Sequence, residues 1–81
     1  MLGLEYHRLS RHDDAAKAFR HAVDLNPDHT AAYRELGKAL RDAGRRQEAI
    51  DILEKGIAAA AKTKDLQTGK EMDVFLRRLR G

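Results

Sequence analysis

The fold is decided by residues 33–57, YRELGKALRDAGRRQEAIDILEKGI, where two apolar stripes of helical spacing flank a glycine. The first stripe repeats at i, i+3, i+4 and i+7 and consists of Tyr33, Leu36, Gly37 and Leu40. The second stripe consists of Ala49, Ile50, Leu53, Gly56 and Ile57. Because residues at this spacing share one face of an α-helix, the segment predicts helices over residues 28–43 and 46–61.

The same pattern occurs once more, 34 residues earlier in the chain. The corresponding pairs are Leu2 and Leu36, Gly3 and Gly37, Ala15 and Ala49, Phe19 and Leu53, and Val23 and Ile57. This period predicts a helix over residues 12–25, preceded by a shortened helix that is separate from it or fused to it. Ser10 corresponds to Gly44, which precedes the second helix of its unit, so Asp13 should lie at the start of the helix over residues 12–25. There it could pair with Lys17, four residues further along.

Several residues mark the expected ends and contacts of these helices. Pro27 restricts the residue before it, and Asp28 can accept hydrogen bonds from the free N–H groups of the next helix. Gly44 can adopt the left-handed conformation that ends a helix. Gly37 and Gly56 lie inside predicted helices, where glycine costs roughly 1 kcal/mol relative to alanine. We therefore expect neighbouring backbones to approach closely at both glycines.

The C-terminal segment departs from the 34-residue period. Residues 65–80 have an apolar stripe of their own, made of Met72, Phe75, Leu76 and Leu79. This spacing predicts a terminal helix that covers the last apolar face of the preceding helices. The chain is therefore expected to be all-α, with antiparallel helix pairs and a C-terminal capping helix.

The residues of the two units carry a specific resemblance. The second unit has Tyr33, Leu36, Gly37, Leu40, Gly44, Ala49 and Leu53, and the first has Leu2, Gly3, Tyr6, Ala15, Phe19, Ala22 and Pro27. At these spacings the chain resembles the tetratricopeptide repeat family. The resemblance implies a short superhelix in a single domain, residues 1–81, with a truncated first repeat (1–29), a second repeat (30–63) and a capping helix (64–81). The chain would be a fragment, or its first helix would be stunted.

A basic stripe runs beside the apolar stripe of the helix over 28–43. Arg34, Lys38 and Arg41 follow the spacing i, i+4, i+7. In the family that this chain resembles, the first helix of each pair lines a concave groove that holds a segment of a protein partner. The resemblance thus implies that Arg34 and Lys38 occupy positions used for ligand contact. Arg41 extends the same line, and His7 and Arg8 would face the same groove.

The chemistry of this stripe suits an acidic peptide or a C-terminal carboxylate. A guanidinium binds a carboxylate through two parallel hydrogen bonds, and lysine adds a point charge. The family's carboxylate clamp is matched only in part, since Glu35 lies where that clamp has an asparagine. The alternative is a solvated basic face with ordinary pairing on one helix, such as Glu35 with Lys38.

Composition and motifs argue against several other classes of protein. The chain has 81 residues, no Cys and a formal net charge of +3, so a single small domain in the reducing cytoplasm is expected, without disulfides. No apolar run reaches the roughly 20 residues that a membrane helix needs. The four histidines lack i, i+4 ligand spacing, and no nucleophile or phosphate-loop motif occurs, so we expect no metal, no cofactor and no enzyme.

Two alternatives to peptide binding remain at this level. Helical repeats can bind RNA, and the net charge is positive, although most of the aromatic residues are expected in the core rather than on a basic face. Self-association is the other alternative, because a truncated first repeat would leave Leu2, Tyr6 and Phe19 partly uncovered.

Overall fold

A computed structural model shows four α-helices; it describes the backbone of residues 2–81 and the side chains of residues 11–81. The helices are α1 (Leu2–Leu25), α2 (Thr30–Asp42), α3 (Arg46–Thr63) and α4 (Leu66–Arg80). Within residues 2–81 no strand is present. The predicted all-α class, with antiparallel helix pairs and a terminal helix, is therefore confirmed.

The N-terminal helix is longer than the repeat pattern suggests. α1 is continuous over its 24 residues, so of the two arrangements that the pattern left open, separate or fused, the fused one occurs. Nothing between residues 4 and 25 forces a break, because this stretch contains neither glycine nor proline. Asp13 consequently lies inside the helix rather than at its start. Its carboxylate pairs with Arg45, 3.2 Å away in the turn before α3, and not with Lys17.

The ends of α2 are set by local hydrogen bonds and by one glycine. His29, and not Asp28, caps the helix, because its Nδ1 accepts the backbone N–H of Ala32 at 3.2 Å. The Asp28 N–H is itself bonded to the Asn26 side chain, also at 3.2 Å, which forms the turn that precedes the cap. At the other end Gly44 has a φ of 79°, the left-handed conformation expected from the sequence.

The core lies around α2, which packs against each of the other three helices, while α4 packs against α3 and α2. Its largest fully buried side chains are Leu36, Leu40, Leu53 and Met72. The stripe of the terminal helix faces this core: Met72 and Leu76 are buried, and Phe75 and Leu79 pack against it. Burial of each large apolar side chain contributes about 1.5–3 kcal/mol before chain entropy is counted, so α4 is an integral part of this small core.

Gly37 of α2 and Gly56 of α3 make room for side chains rather than for neighbouring backbones. A Cβ atom at Gly37 would lie 2.6 Å from Cδ2 of Leu53, and one at Gly56 would lie 2.5 Å from Sδ of Met72. The Gly56 position would also be 2.6 Å from Cβ of Tyr33. Both glycines are thus required by close packing, as expected, but the atoms that approach them belong to side chains.

Candidate functional site

The candidate site is the surface along which α2 and α4 lie side by side. Three contacts join the helices: the Thr30 hydroxyl donates to Asp65 (2.5 Å), Arg34 Nη1 donates to Glu71 (2.9 Å), and the Arg41 guanidinium lies over the Phe75 ring (5.4 Å to its centroid). Residue numbers rise together in the three pairs, so the two helices run parallel. We call this surface the α2–α4 face; its α2 side contains Arg34, Lys38 and Arg41.

The first contact anchors the start of α4 to the start of α2. Asp65 caps α4 by accepting the backbone N–H of Thr68 at 3.3 Å. The Thr30 hydroxyl bond, together with the bonds from Thr68, lowers the pKa of the Asp65 carboxyl below its ordinary value of 3.8. Thr30 and Thr68 are both buried, so this end of the α2–α4 face is well ordered by packing and hydrogen bonds.

Arg34 lies one turn further along, between two carboxylates. Its Nη1 contacts Glu71 at 2.9 Å, and its Nε contacts Glu35 at 3.2 Å. Only 26% of the Arg34 side chain is exposed. The first cation of the stripe thus has two of its five N–H donors engaged by acidic groups of the chain itself.

Lys38 and Arg41 are less constrained than Arg34. Lys38 Nζ lies 3.8 Å from Glu35, at the outer limit of an ion pair, and 40% of its side chain is exposed. This contact is the one that the sequence suggested for a simple solvated face. Arg41 pairs with Asp42 at 3.0 Å and covers the Phe75 ring, a cation–π contact worth about 0.5–1 kcal/mol at an exposed position.

The residues on the α4 side of the face are those that share the side of the helix on which Glu71 lies. Residues three and seven positions after Glu71, Val74 and Arg78, share its side of the helix. Val74 is an exposed large apolar residue, 45% accessible, and Arg78 is exposed. The face therefore combines apolar and basic groups on two parallel helices with the ion pairs described above.

Two of the residues predicted to face the groove cannot be placed. His7 and Arg8 belong to the backbone of α1, but their side chains lie outside the described residues, so their role stays a prediction. The same applies to Leu2 and Tyr6, two of the three residues on which the idea of self-association rests. The third, Phe19, is partly buried and packs against the core.

Sequence reasoning missed the acidic residues that join α4 to α2. Glu71 and Asp65 lie 37 and 35 residues after Arg34 and Thr30, so no local spacing relates them. A signal was nevertheless available in the burial pattern, because Met72 and Leu76 lie 36 residues after Leu36 and Leu40. With that offset Glu71 corresponds to Glu35 and lies next to the basic stripe, whereas the 34-residue offset does not align these helices.

A second open surface lies at the C-terminal end of the stack, between α3 and α4. A shallow, mainly apolar cleft of about 300 Å³ is lined there by Ile57, Ala61, Leu66, Gly69 and other residues. Leu66 is 71% exposed. The terminal helix thus covers the apolar face of α3 only in part.

Among the residues that the structure describes, no group of three or more His, Cys, Asp or Glu side chains is close enough to hold a metal ion. None of the described helices has the length and apolar character needed to cross a membrane.

Comparisons with known proteins agree with the fold. A family model described as tetratricopeptide repeat matches residues 1–63. The TPR repeat-containing protein PA0015 of Pseudomonas aeruginosa is 38% identical over 78 residues, which cover 96% of this chain and 74% of that protein. Superkiller protein 3 of Saccharomyces cerevisiae is 38% identical over 68 residues, which cover 84% of this chain but only 5% of that much longer protein.

A solved structure has the same architecture along nearly the whole chain. The solution structure of protein BPP2914 from Bordetella parapertussis superposes with a TM-score of 0.78 at 37% sequence identity. The match covers 98% of this chain and 70% of that one. The similarity therefore includes the terminal helix α4, which lies beyond the residues matched by the family model.

Proposed function

Because the chain belongs to the tetratricopeptide repeat family, whose repeats generally mediate protein–protein interaction, we propose that the α2–α4 face binds a peptide segment of another protein. The preferred segment carries acidic side chains or a free C-terminal carboxylate. One observation carries the proposal: three cations follow one helix on a partly exposed surface beside a parallel helix.

The support for a preformed surface comes from the buried side of α2. Leu36 and Leu40 are fully buried, and Tyr33 is 8% exposed. Side chains held in a packed core keep the helix backbone fixed, so Arg34, Lys38 and Arg41 are presented from a rigid element. A surface that is ordered before binding loses less conformational entropy when a peptide binds.

The support for an acidic segment comes from the balance of charge. The four cations Arg34, Lys38, Arg41 and Arg78 are matched in number by Glu35, Asp42, Asp65 and Glu71, but beyond Glu71 only Asp42 accompanies Arg41 and Arg78. Lys38 and Arg41 have only one ion-pair partner each within the described chain. Partly exposed cations on a rigid surface attract an acidic peptide and help to orient it. We include His7 and Arg8 in the proposed site on the basis of the family resemblance alone.

The proposal is tested with a labelled peptide in a fluorescence anisotropy titration. The peptide is rich in glutamate and ends in a free carboxylate; a matched peptide has glutamine at each glutamate. We expect the acidic peptide to bind more tightly, and the difference to shrink as salt is raised from about 0.05 M to about 0.5 M. Lys38→Glu should weaken binding about tenfold, equivalent to about 1.4 kcal/mol.

A charge reversal elsewhere provides the matched control. Lys55 is exposed on α3, away from the α2–α4 face, so Lys55→Glu changes the net charge by the same amount and should have less than about a twofold effect. Equal weakening by Lys38→Glu and Lys55→Glu would indicate attraction without a site and would reject the proposal. Preferential binding of an RNA pool over the acidic peptide, with a steep salt dependence, would favour the nucleic-acid alternative instead.

A further inference from the structure

The ion pair between Arg34 and Glu71 differs from the other charge contacts on the α2–α4 face. Arg34 and Glu71 are 37 residues apart and belong to different helices, and their 2.9 Å contact has hydrogen-bond geometry. By contrast, Lys38 and Arg41 pair with acids on their own helix. The Arg34 side chain is 26% exposed and that of Glu71 is 38% exposed, so both are partly shielded from water.

The pair leaves one part of the face without net charge. Arg34 contacts both Glu71 and Glu35, and Glu35 lies 3.8 Å from Lys38. These four side chains carry two positive and two negative charges, so their charges cancel. Further along the face, Arg41, Arg78 and Asp42 leave one net positive charge. A ligand carboxylate that approaches Arg34 therefore meets a guanidinium with two of its five N–H donors bonded to carboxylates of the chain, one of them Glu71.

We infer that Glu71 is a specificity-determining residue of this face, which competes with ligand carboxylates for Arg34. The inference rests on the proposed function and assigns a residue that sets its affinity. A peptide with one acidic group gains from Arg41 but must displace the Glu71 carboxylate to reach Arg34. Only a segment with several acidic groups, positioned along both parts of the face, would use the whole stripe.

Displacement of Glu71 would also alter the contact between α2 and α4. Of the three contacts that join these helices, the Arg34–Glu71 pair is the central one. The Thr30–Asp65 bond and the Arg41–Phe75 contact lie on either side of it, and both can persist while Arg34 turns toward a ligand. The helix therefore stays attached when the pair exchanges partners, so the face can open at this point without loss of the fold.

The test is the variant Glu71→Gln, measured with the same acidic peptide. The glutamine side chain has nearly the shape of glutamate and still accepts a hydrogen bond from Arg34, but it carries no charge. We expect affinity for the acidic peptide to rise about tenfold, because Arg34 becomes available to the ligand. The control Glu54→Gln removes the same charge from α3, where Glu54 pairs with Arg80, and should raise affinity less than about twofold.

A second measurement distinguishes competition from a general change of charge. Arg34→Gln should weaken binding of the acidic peptide less in the wild type, where Glu71 occupies part of the guanidinium, than in the Glu71→Gln background, where it should also abolish the gain. Effects of Arg34→Gln that are equal in the two backgrounds would overturn the inference, because independent residues give additive changes.

The outcomes also separate this inference from the proposed function. If Lys38→Glu weakens binding while Glu71→Gln leaves it unchanged, peptide binding stands and the role of Glu71 is wrong. If neither variant changes the affinity for the acidic peptide, both are wrong. Circular dichroism and urea unfolding of Glu71→Gln verify that the variant is folded. If it is not folded, Glu71→Asp replaces it in the test. Aspartate keeps the charge on a shorter side chain, so its gain in affinity should be smaller than the tenfold gain expected for Glu71→Gln.

Discussion

Replacement of Gly56 by alanine should destabilise the protein, although the same change usually stabilises a helix. Gly56 lies inside α3 and is buried. In an exposed helix interior, Gly to Ala gains about 1 kcal/mol through helix propensity. Here a new Cβ would lie 2.5 Å from Met72 Sδ and 2.6 Å from Tyr33 Cβ, whereas carbon atoms in contact are about 3.5–4.0 Å apart.

The size of the effect depends on which of these neighbours can move. Met72 is unbranched and can change its rotamer, at some cost because its side chain is fully buried. Tyr33 Cβ is attached directly to the backbone of α2, so it can move away only if α2 and α3 separate by about 1 Å. Overpacking of this type costs about 1–3 kcal/mol. With two neighbours at 2.5 and 2.6 Å the cost falls in the upper part of that range, about 2–3 kcal/mol, so subtraction of the propensity gain leaves a net loss of about 1–2 kcal/mol.

The assay is urea unfolding followed by circular dichroism at the helix band, with Ala58→Gly as a control. Ala58 is an exposed residue of the same helix, so its replacement measures helix propensity without packing and should cost about 1 kcal/mol. A loss of about 1–2 kcal/mol in Gly56→Ala corresponds to a fall in Tm of about 5–15 °C for a domain of this size. The reasoning is refuted if Gly56→Ala is as stable as the wild type or more stable.

Two further predictions concern other contacts of the core and of the helix ends. Gly37→Ala should destabilise the protein, because the new Cβ would contact Leu53, whose side chain supplies the two nearest atoms. The double variant Gly37→Ala/Leu53→Ala should therefore lose about 1 kcal/mol less stability than the sum of the two single variants. Urea unfolding of the wild type and the three variants measures this coupling, and strict additivity would contradict it. Asp65, whose carboxyl pKa is lowered chiefly by the hydrogen bond from Thr30, favours the folded state above its ordinary pKa of 3.8, and this contribution is lost as the pH falls through the lowered value. The stability difference between wild type and Asp65→Asn should therefore be constant near neutral pH and shrink in acid; a difference that grows in acid would show that the sign is wrong.

Sequence patterns predicted those parts of the fold that depend on neighbours along the chain. The i, i+3, i+4, i+7 stripes identified Leu36, Leu40 and Leu53, which are fully buried. The end of α2 at Gly44 was predictable, because a left-handed residue is required there and glycine adopts that conformation at little cost. The stripe of α4 was recognised for the same reason, since side-chain spacing alone places Met72 and Leu76 on one face.

Two predictions about helix ends were wrong, because a repeat pattern does not specify where each helix begins or which residue caps it. The repeat pattern put Asp13 at a helix start, but serine at position 10 does not break a helix, so α1 continues through it and Asp13 lies in its interior. His29 and not Asp28 caps α2, because the helix begins at Thr30, which puts His29 in the capping position, where its Nδ1 accepts the N–H of Ala32. In both cases the choice depended on competing local interactions of about 1 kcal/mol or less, which residue type alone does not resolve.

The amino-acid sequence by itself determined that this chain is helical, which faces of its helices are apolar, and which cations share a stripe with Arg34, because these properties follow from spacing on a helix. Only the tertiary structure decided that Arg34 is paired with Glu71 and that Thr30 is bonded to Asp65, across separations of 37 and 35 residues. The physical reason is that the energy of a charge contact depends on distance in space, and that distance is fixed by how α4 packs against α2 rather than by any local pattern.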